Sequence, residues 1–187
     1  MRPDICHVDI DTTAGPFEIE VHRAWCAHGA DRFLELVHDG YYDDSRFFRV
    51  VAGKWVQFGI AGAPALAAAW RGRTIPDDPL VQSNRLGFVA FANTGPGTRS
   101  TQVFINLGDN SAQNDREAGF APFGRVTQGM ESVAQLYSGY GEGSGGGMRA
   151  GRQEVLFAGG NAYLDSAFPR LDRLVRARVR LLGEISE

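Results

Sequence analysis

Short segments with alternating apolar and polar residues recur along this 187-residue chain, and this period-two pattern limits its possible folds. In CHVDID, Cys6, Val8 and Ile10 alternate with polar residues, and FEIEVH repeats the pattern after the turn TTAGP. Such alternation is typical of strands with one buried face. Further strand-like segments lie at 46–60, 87–93, 101–107 and 172–182. Because no regular strand–helix–strand order accompanies them, we expect a mainly β fold in which an antiparallel sheet closes into a barrel.

The last of these segments predicts which side chains of the final strand face inward. Val175, Ala177, Val179 and Leu181 alternate with three arginines. We expect the apolar residues to be buried and the arginines to form a solvent-facing row, although such a row could also bind an anion.

Two segments have helical spacing instead. Apolar residues recur at intervals of three and four over 30–37, where Gly40 follows, and over 130–137, which predicts two helices. We treat the stretches at about 61–84 and 139–160 as insertions in one domain spanning 1–187, and the Gly-rich part at 138–151 as a flexible loop.

Charge and composition exclude several classes of partner. Lys and Arg number 19 against 22 Asp and Glu, a net charge of −3, so no basic surface for a nucleic acid is indicated. No apolar run approaches the ~20 residues that span a bilayer, and the N-terminus has no signal-peptide pattern. We expect a cytoplasmic monomer that binds neither nucleic acid nor membrane.

The cysteines and histidines show no metal-binding spacing. Cys6 and Cys26 do not form CxxC, and the four histidines form neither HxH nor HExxH. We therefore expect free thiols, no metal and no cofactor.

The remaining chemistry lies in polar residues on otherwise apolar strands. These are Arg49 and Gln57 in one predicted hairpin, and Asn93 and Gln102 in the next. Together with the aromatic residues Phe48, Trp55, Phe104 and Phe120, they could form a groove that binds an extended peptide. They could equally be structural, with Arg49 paired to an acid and the rings filling a core. The adjacent acids Asp43/Asp44 and Asp77/Asp78 are more typical of solvated loops than of acid–base catalysis.

A resemblance to a known family separates these two interpretations. RFFRVVAGKWVQFG resembles the FHRV-x-x-G-F-x-x-Q-G-G signature of cyclophilins, the peptidyl-prolyl cis-trans isomerases, and GFVAFANTGPGTRSTQVFI and FAPFGRVTQGMESV are similar to two further motifs in the same order. The tail segments GNAYL and FPRLD resemble a bacterial subgroup. The resemblance implies a closed eight-stranded antiparallel barrel capped by two α-helices, and isomerase activity on proline-containing or unfolded polypeptides.

The resemblance also implies roles for individual residues. Arg49 would be the catalytic residue, supported by Gln57. Ala92, Asn93 and Gln102 would bind the peptide backbone, and Trp55, Phe104 and Phe120 would line the proline pocket. Phe48 stands beside the arginine where the family usually has histidine.

Three positions depart from the family pattern. Lys54 stands where a wall phenylalanine is usual, and Gln113 and Asn114 stand near positions usually held by tryptophan and leucine. The last two changes predict weak binding of cyclosporin. Lys54 and Asn114 also motivate an alternative function, a low-turnover peptide-binding or scaffold protein on the same fold.

Overall fold

The computed structural model describes residues 3–116, 119–143 and 153–180. Its strands are β1 Ile5–Thr12, β2 Phe17–His22, β3 Ser45–Arg46, β4 Arg49–Val51, β5 Trp55–Phe58, β6 Phe88–Phe91, β7 Val103–Asn106, β8 Pro122–Gln128 and β9 Arg173–Arg180. Its helices are α1 Ala27–His38, α2 Pro64–Arg71, α3 Ser111–Asn114, α4 Met130–Gln135 and α5 Glu154–Ala167.

The strands form one curled antiparallel sheet in the order β3-β9-β1-β2-β8-β6-β7-β5-β4. The first hairpin has the predicted faces, because Val8 pairs with Ile19 and both side chains are fully buried. Bulky apolar residues from the inner faces of the strands fill the interior, and α1 packs over β8 and β9.

The expected closed barrel of eight strands is wrong. The described residues form nine strands, and the edge strands β3 and β4 do not pair with each other. Only Phe47 and Phe48 separate β3 from β4 in the chain, and both side chains are fully buried. Two successive inward side chains break the alternation of a regular strand, so the hydrogen-bonded ladder stops there. The covalent chain, not a strand ladder, connects the two edges.

The expected pair of helices is also incomplete. α1 and α4 confirm the two predicted helices, but the described residues contain three more. α2 forms in the Ala-rich part of the first insertion. α5 begins inside the stretch treated as a second insertion, and the rest of the predicted flexible loop, from residue 144 to 151, lies outside the described residues.

The inward face of β9 differs in part from the predicted one. Leu174 is fully buried, whereas Val175 has 40% of its surface exposed. The pairing of β1 with β9 shifts between Asp11 and Thr12, and this irregularity moves the buried position by one residue. Leu181 lies outside the described residues.

Two smaller expectations concern the cysteines and membrane spans. Cys6 and Cys26 are free thiols, as predicted. No helix within the described ranges is long and apolar enough to cross a membrane.

Candidate active site

A groove with a volume of about 340 Å³ runs over the ends of β4 to β7. The residues that line it are Arg49, Trp55, Gln57, Ala92, Asn93, Thr94, Thr98, Ser100, Gln102, Phe104, Gln113, Asn114, Phe120 and Gln153.

Strand register brings the central residues of the groove together. Arg49 on β4 pairs with Gln57 on β5, and Gln57 pairs with Phe104 on β7. Directly paired residues project to the same face of a sheet. The residues next to them in sequence, including Val50, Val56 and Ile105, are buried on the opposite face. The period of two thus separates groove residues from core residues on three neighbouring strands.

Several neighbours hold the Arg49 guanidinium in place. Its Nη1 donates to Gln57 Oε1 at 2.8 Å, and its Nη2 donates to Glu142 Oε1 at 3.0 Å. The guanidinium carbon lies 5.0 Å from the centroid of the Trp55 ring, a cation–π distance. The buried Nε has no hydrogen-bond partner within the described residues. The cation is therefore fixed in direction while 18% of its side chain stays exposed.

A row of amides continues from Arg49 along the groove. Gln57 Nε2 donates to Gln102 Oε1 at 2.9 Å. Gln102 Nε2 donates to Gln153 Oε1 at 2.8 Å, and Gln153 Nε2 donates back to Gln102 Oε1 at 3.1 Å. These contacts fix the amide orientations, so the row presents defined donors and acceptors along the groove.

Beside these polar groups lies an apolar pocket. The rings of Phe104 and Phe120 meet edge to face with centroids 5.5 Å apart, and Trp55 and Ala92 also line the groove. Such a pocket suits a compact apolar ring in a ligand.

The loop after β6 forms another wall of the groove. Asn93 Oδ1 accepts from Gly95 N at 3.2 Å, and Thr98 Oγ1 accepts from Thr94 N at 2.9 Å and donates to Gly95 O at 2.7 Å. Ala92 N donates to Gln102 O at 2.9 Å, which continues the ladder between β6 and β7. These bonds stabilise a tight turn that keeps Asn93 at the groove.

On the opposite side, α3 contributes Gln113 and Asn114. Gln113 is exposed, whereas Asn114 is 5% exposed. The backbone of Asn114 accepts a hydrogen bond from Phe120 N at 3.3 Å. The two polar residues therefore lie next to the aromatic pocket.

Two of the residues expected at the groove do not line it. Phe48 is fully buried in the core, because the alternation that turns Arg49 outward turns Phe48 inward. Lys54 is exposed in the turn between β4 and β5, where its Nζ lies 5.8 Å from the Trp55 ring centroid. The structural interpretation therefore applies to Phe48, while Trp55, Phe104 and Phe120 lie at the groove.

Some groove residues were missed in the sequence. Thr94, Thr98 and Ser100 belong to the loop that the sequence motif already indicated, so their position could have been inferred. Gln153, which lines the groove, and Glu142, which contacts Arg49, lie 51 and 93 residues from their partners. No local pattern marks such distant contacts.

The described residues contain no group of three or more His, Cys, Asp or Glu side chains arranged to hold a metal ion. The adjacent acids have other partners. Asp44 pairs with Arg46 at 3.2 Å, Asp43 accepts from Ala177 N at 2.9 Å, and Asp78 pairs with Arg99 at 2.9 Å.

Fold and groove together define a protein with a curled antiparallel β-sheet and a surface groove that combines a fixed cation, a row of amides and an aromatic pocket. Residues 7–150 match the sequence model of the family described as cyclophilin type peptidyl-prolyl cis-trans isomerase/CLD. The chain therefore belongs to the cyclophilin-type peptidyl-prolyl cis-trans isomerases.

Individual relatives agree with this assignment. Peptidyl-prolyl cis-trans isomerase CYP18-2 of Arabidopsis thaliana is 32% identical over 134 residues, which are 70% of this chain and 80% of that protein. A crystal structure of a Cryptosporidium parvum cyclophilin-type isomerase has a TM-score of 0.66 at 18% identity and covers 95% of this chain and 98% of its own. A second structure of that protein, determined in the presence of the dipeptide Ala-Pro, has a TM-score of 0.64 at 18% identity, with 94% and 99% coverage. Both organisms are eukaryotes, so these relatives do not support the expected bacterial subgroup.

Proposed function

We propose that this protein accelerates rotation about Xaa-Pro bonds in proline-containing peptides or unfolded polypeptides, and that Arg49 is its catalytic residue. One observation carries the proposal: a guanidinium held by Gln57 and Glu142 lies in the same groove as the aromatic pocket of Phe104 and Phe120. A prolyl ring seated in that pocket would bring its own amide nitrogen near the cation.

The chemistry requires no covalent step. Amide resonance opposes rotation with a barrier of ~18–20 kcal/mol. As the bond twists, the nitrogen lone pair leaves the carbonyl system and becomes a hydrogen-bond acceptor. A guanidinium donor can bind this lone pair in the twisted state but not in the planar ground state, so the contact lowers the barrier selectively.

The other groove residues would bind and orient the chain. Trp55, Phe104 and Phe120 would hold the prolyl ring, while Ala92 and Asn93 and the Gln102 side chain would bind the extended backbone. Gln57 would keep the guanidinium aimed at the ring nitrogen. Pre-set donors of this kind need little reorganisation during the reaction.

The first test replaces Arg49 with alanine and with lysine. We expect Arg49→Ala to lower kcat/KM about 10²- to 10³-fold, the usual cost of removing one donor to a transition state. Arg49→Lys should recover little, because an ammonium lacks the planar fork of donors. The measurement is cis–trans exchange of a proline peptide by NMR.

The control for this test is Arg176→Ala, at an exposed position on β9, which should isomerise normally. A rate for Arg49→Ala within threefold of the wild type would contradict the proposed role.

Lys54 and Asn114 motivate the alternative function, a low-turnover scaffold protein. Lys54 is exposed and lies outside the groove lining, which leaves Asn114 as its remaining basis. We therefore favour the isomerase.

The proposal also includes properties that only the sequence suggests, beginning with weak binding of cyclosporin. Polar Gln113 and Asn114 beside the pocket would weaken binding of cyclosporin, a largely apolar ligand. A single domain, a monomeric state, a cytoplasmic location and the bacterial subgroup stay predictions.

A further inference from the structure

The amide row and Arg49 form one hydrogen-bonded series whose two ends come from the C-terminal third of the chain. Glu142 binds Arg49 at one end, and Gln153 binds Gln102 at the other. The family match ends at residue 150, so Gln153 and α5 lie beyond it. Glu142, near the end of the match, and Gln153, just beyond it, therefore add polar groups to a groove that is otherwise built from the sheet and the loops after β6 and β7.

The fold holds Glu142 firmly at this position. It lies in a turn closed by a 2.8 Å bond from Gly143 N to Tyr140 O, next to Gly141 with a left-handed φ of 52°. The Tyr140 ring packs edge to face on Phe168, with centroids 5.2 Å apart, and its hydroxyl accepts from Arg170 N at 3.2 Å. The turn that carries the carboxylate is thus anchored to the end of α5.

Glu142 also changes the charge of the groove. Arg49 is the one charged side chain among the described residues that line it, and alone it would favour acidic ligands. Glu142 neutralises this cation at 3.0 Å and keeps 56% of its own side chain exposed. The exposed part of the carboxylate faces solvent beside the Arg49 guanidinium.

Geometry brings the flanking residues of a peptide to this carboxylate. Neighbouring Cα atoms are about 3.8 Å apart, so a peptide with its prolyl nitrogen at Arg49 has an adjacent residue within reach of Glu142. A lysine or arginine there would gain a charge-assisted contact, and a glutamate would be repelled.

We infer that Glu142 is a specificity-determining residue that gives the groove a preference for a basic residue next to proline. This inference rests on the proposed isomerase function, whose substrate class it narrows.

The test compares peptides with Lys, Gln or Glu immediately before proline, and a second series with these residues immediately after it. Isomerisation is measured by NMR exchange at low salt, which needs no coupling protease. We expect kcat/KM for the Lys peptide to exceed that for the Glu peptide by roughly two- to fivefold in one series, the scale of an exposed ion pair. In 1 M salt, where the Debye length is about 3 Å, this ratio should approach one.

Glu142→Gln should lower the ratio to one or below, because Arg49 would then be the remaining charge at the groove. The matched control is Glu35→Gln. Glu35 pairs with Arg32 at 3.0 Å and is 53% exposed, close to the values for Glu142, but it lies on α1 and pairs with Arg32 rather than with Arg49. This variant should keep the wild-type ratio. Equal thermal midpoints would show that both variants are folded.

Dissociation constants for the same peptides, measured by calorimetry, separate the two proposals. Equal acceleration of the Lys and Glu peptides would overturn the charge preference and leave the isomerase intact. Absence of acceleration, with Lys-selective binding that Glu142→Gln abolishes, would overturn the isomerase and keep the charge preference. An unchanged ratio in Glu142→Gln would overturn the role of Glu142.

Discussion

Arg49 and Lys54, two cations of one hairpin, show how position on a strand determines what a residue can do. Arg49 lies within β4, in register with Gln57, so its side chain projects to the groove face. Lys54 follows Gly53, whose φ of 72° is left-handed, in the turn before β5. The Lys54 backbone is used instead: its carbonyl accepts from Leu107 N at 2.8 Å and from Asn110 Nδ2 at 2.7 Å. The turn is thereby fixed to the segment after β7.

Because the Lys54 side chain is exposed, its replacement should matter little for catalysis. We expect Lys54→Phe to change kcat/KM by less than about twofold, as is usual for surface positions. Phe104→Ala, which removes a ring from the pocket, should lower it by about tenfold or more. Both are measured with the same proline peptide. A sharp rise in activity for Lys54→Phe would instead support the scaffold alternative.

Among the elements, β9 shows how one irregularity in strand pairing changes which residues of an alternating sequence are buried. β9 lies inside the sheet, between β3 and β1. Its residues Ala177 and Val179 follow the expected alternation, with Ala177 2% exposed. Beyond the shift at Asp11 and Thr12, Leu174 takes the inward position and pairs with both Thr12 and Ser45. The sequence alone does not encode this shift, since it depends on the partner strand.

Substitution of two neighbouring residues tests this register. Leu174→Ala should lower the free energy of unfolding by about 2–5 kcal/mol, the range for a buried leucine that leaves a cavity. Val175→Ala, one residue away on the exposed side, should cost less than about 1 kcal/mol. Urea unfolding followed by tryptophan fluorescence gives both values. Equal losses, or a larger loss at Val175, would favour the unbroken alternation.

Across the whole molecule, the sequence patterns predicted the features that depend on residues close together in the chain, such as strand alternation and helical spacing. The alternation in β1 and β2 and the spacing in α1 indicated most of the buried positions, although Leu36 is fully buried where Leu34 was expected. The motifs around Arg49 and Gln102 indicated most of the groove. The strand ladder that stops at Phe47 and Phe48 was not predictable, because it depends on how the two ends of the sheet meet.

Contacts between residues far apart in the sequence could not be predicted either. α5 follows a Gly-rich stretch and bends at Gly160, where a Cβ would lie 2.3 Å from Gly62 O. A helix containing two adjacent glycines has low intrinsic propensity, so packing on residue 62 and its neighbours rather than local sequence stabilises it. Glu142 and Gln153 reach Arg49 and Gln102 through contacts of this long-range kind, since the turn of Glu142 packs on Phe168 after α5 and Gln153 directly precedes α5.

A buried charge cluster connects the first insertion to the rest of the molecule. The Asp78 carboxylate accepts hydrogen bonds from Cys26 Sγ, His28 N and Gly29 N, each at 3.0 Å, and from Arg99 Nη2 at 2.9 Å. The side chains of Asp78 and Arg99 are 4% and 2% exposed. Burial, together with the Asp78 carboxylate, raises the pKa of the Cys26 thiol to about 12, so the thiol stays protonated and donates.

Because of these contacts, the free energy of unfolding should depend on pH in the acidic range. Burial alone would raise the pKa of Asp78, but the hydrogen bonds from Cys26, His28, Arg99 and Gly29 outweigh it and hold the pKa below its usual value. A carboxyl whose pKa is lowered by folding stabilises the fold above its unfolded pKa, near 4, and loses this contribution as pH falls further.

Replacing Asp78 should therefore both destabilise the protein and flatten its response to acid. At pH 7, Asp78→Asn should lower the free energy of unfolding by about 3 kcal/mol, because the buried Arg99 guanidinium loses its closer carboxylate. Within the described residues, it keeps only the longer ion pair with half-exposed Asp77, at 3.7 Å. The difference from wild type should shrink as pH falls from 5 to 3, since the wild-type carboxyl is then protonated more readily in the unfolded chain than in the folded one. Urea unfolding at each pH measures this. Asp39→Asn, at a half-exposed position, should follow the wild-type curve, and a constant difference for Asp78→Asn down to pH 3 would contradict the lowered pKa.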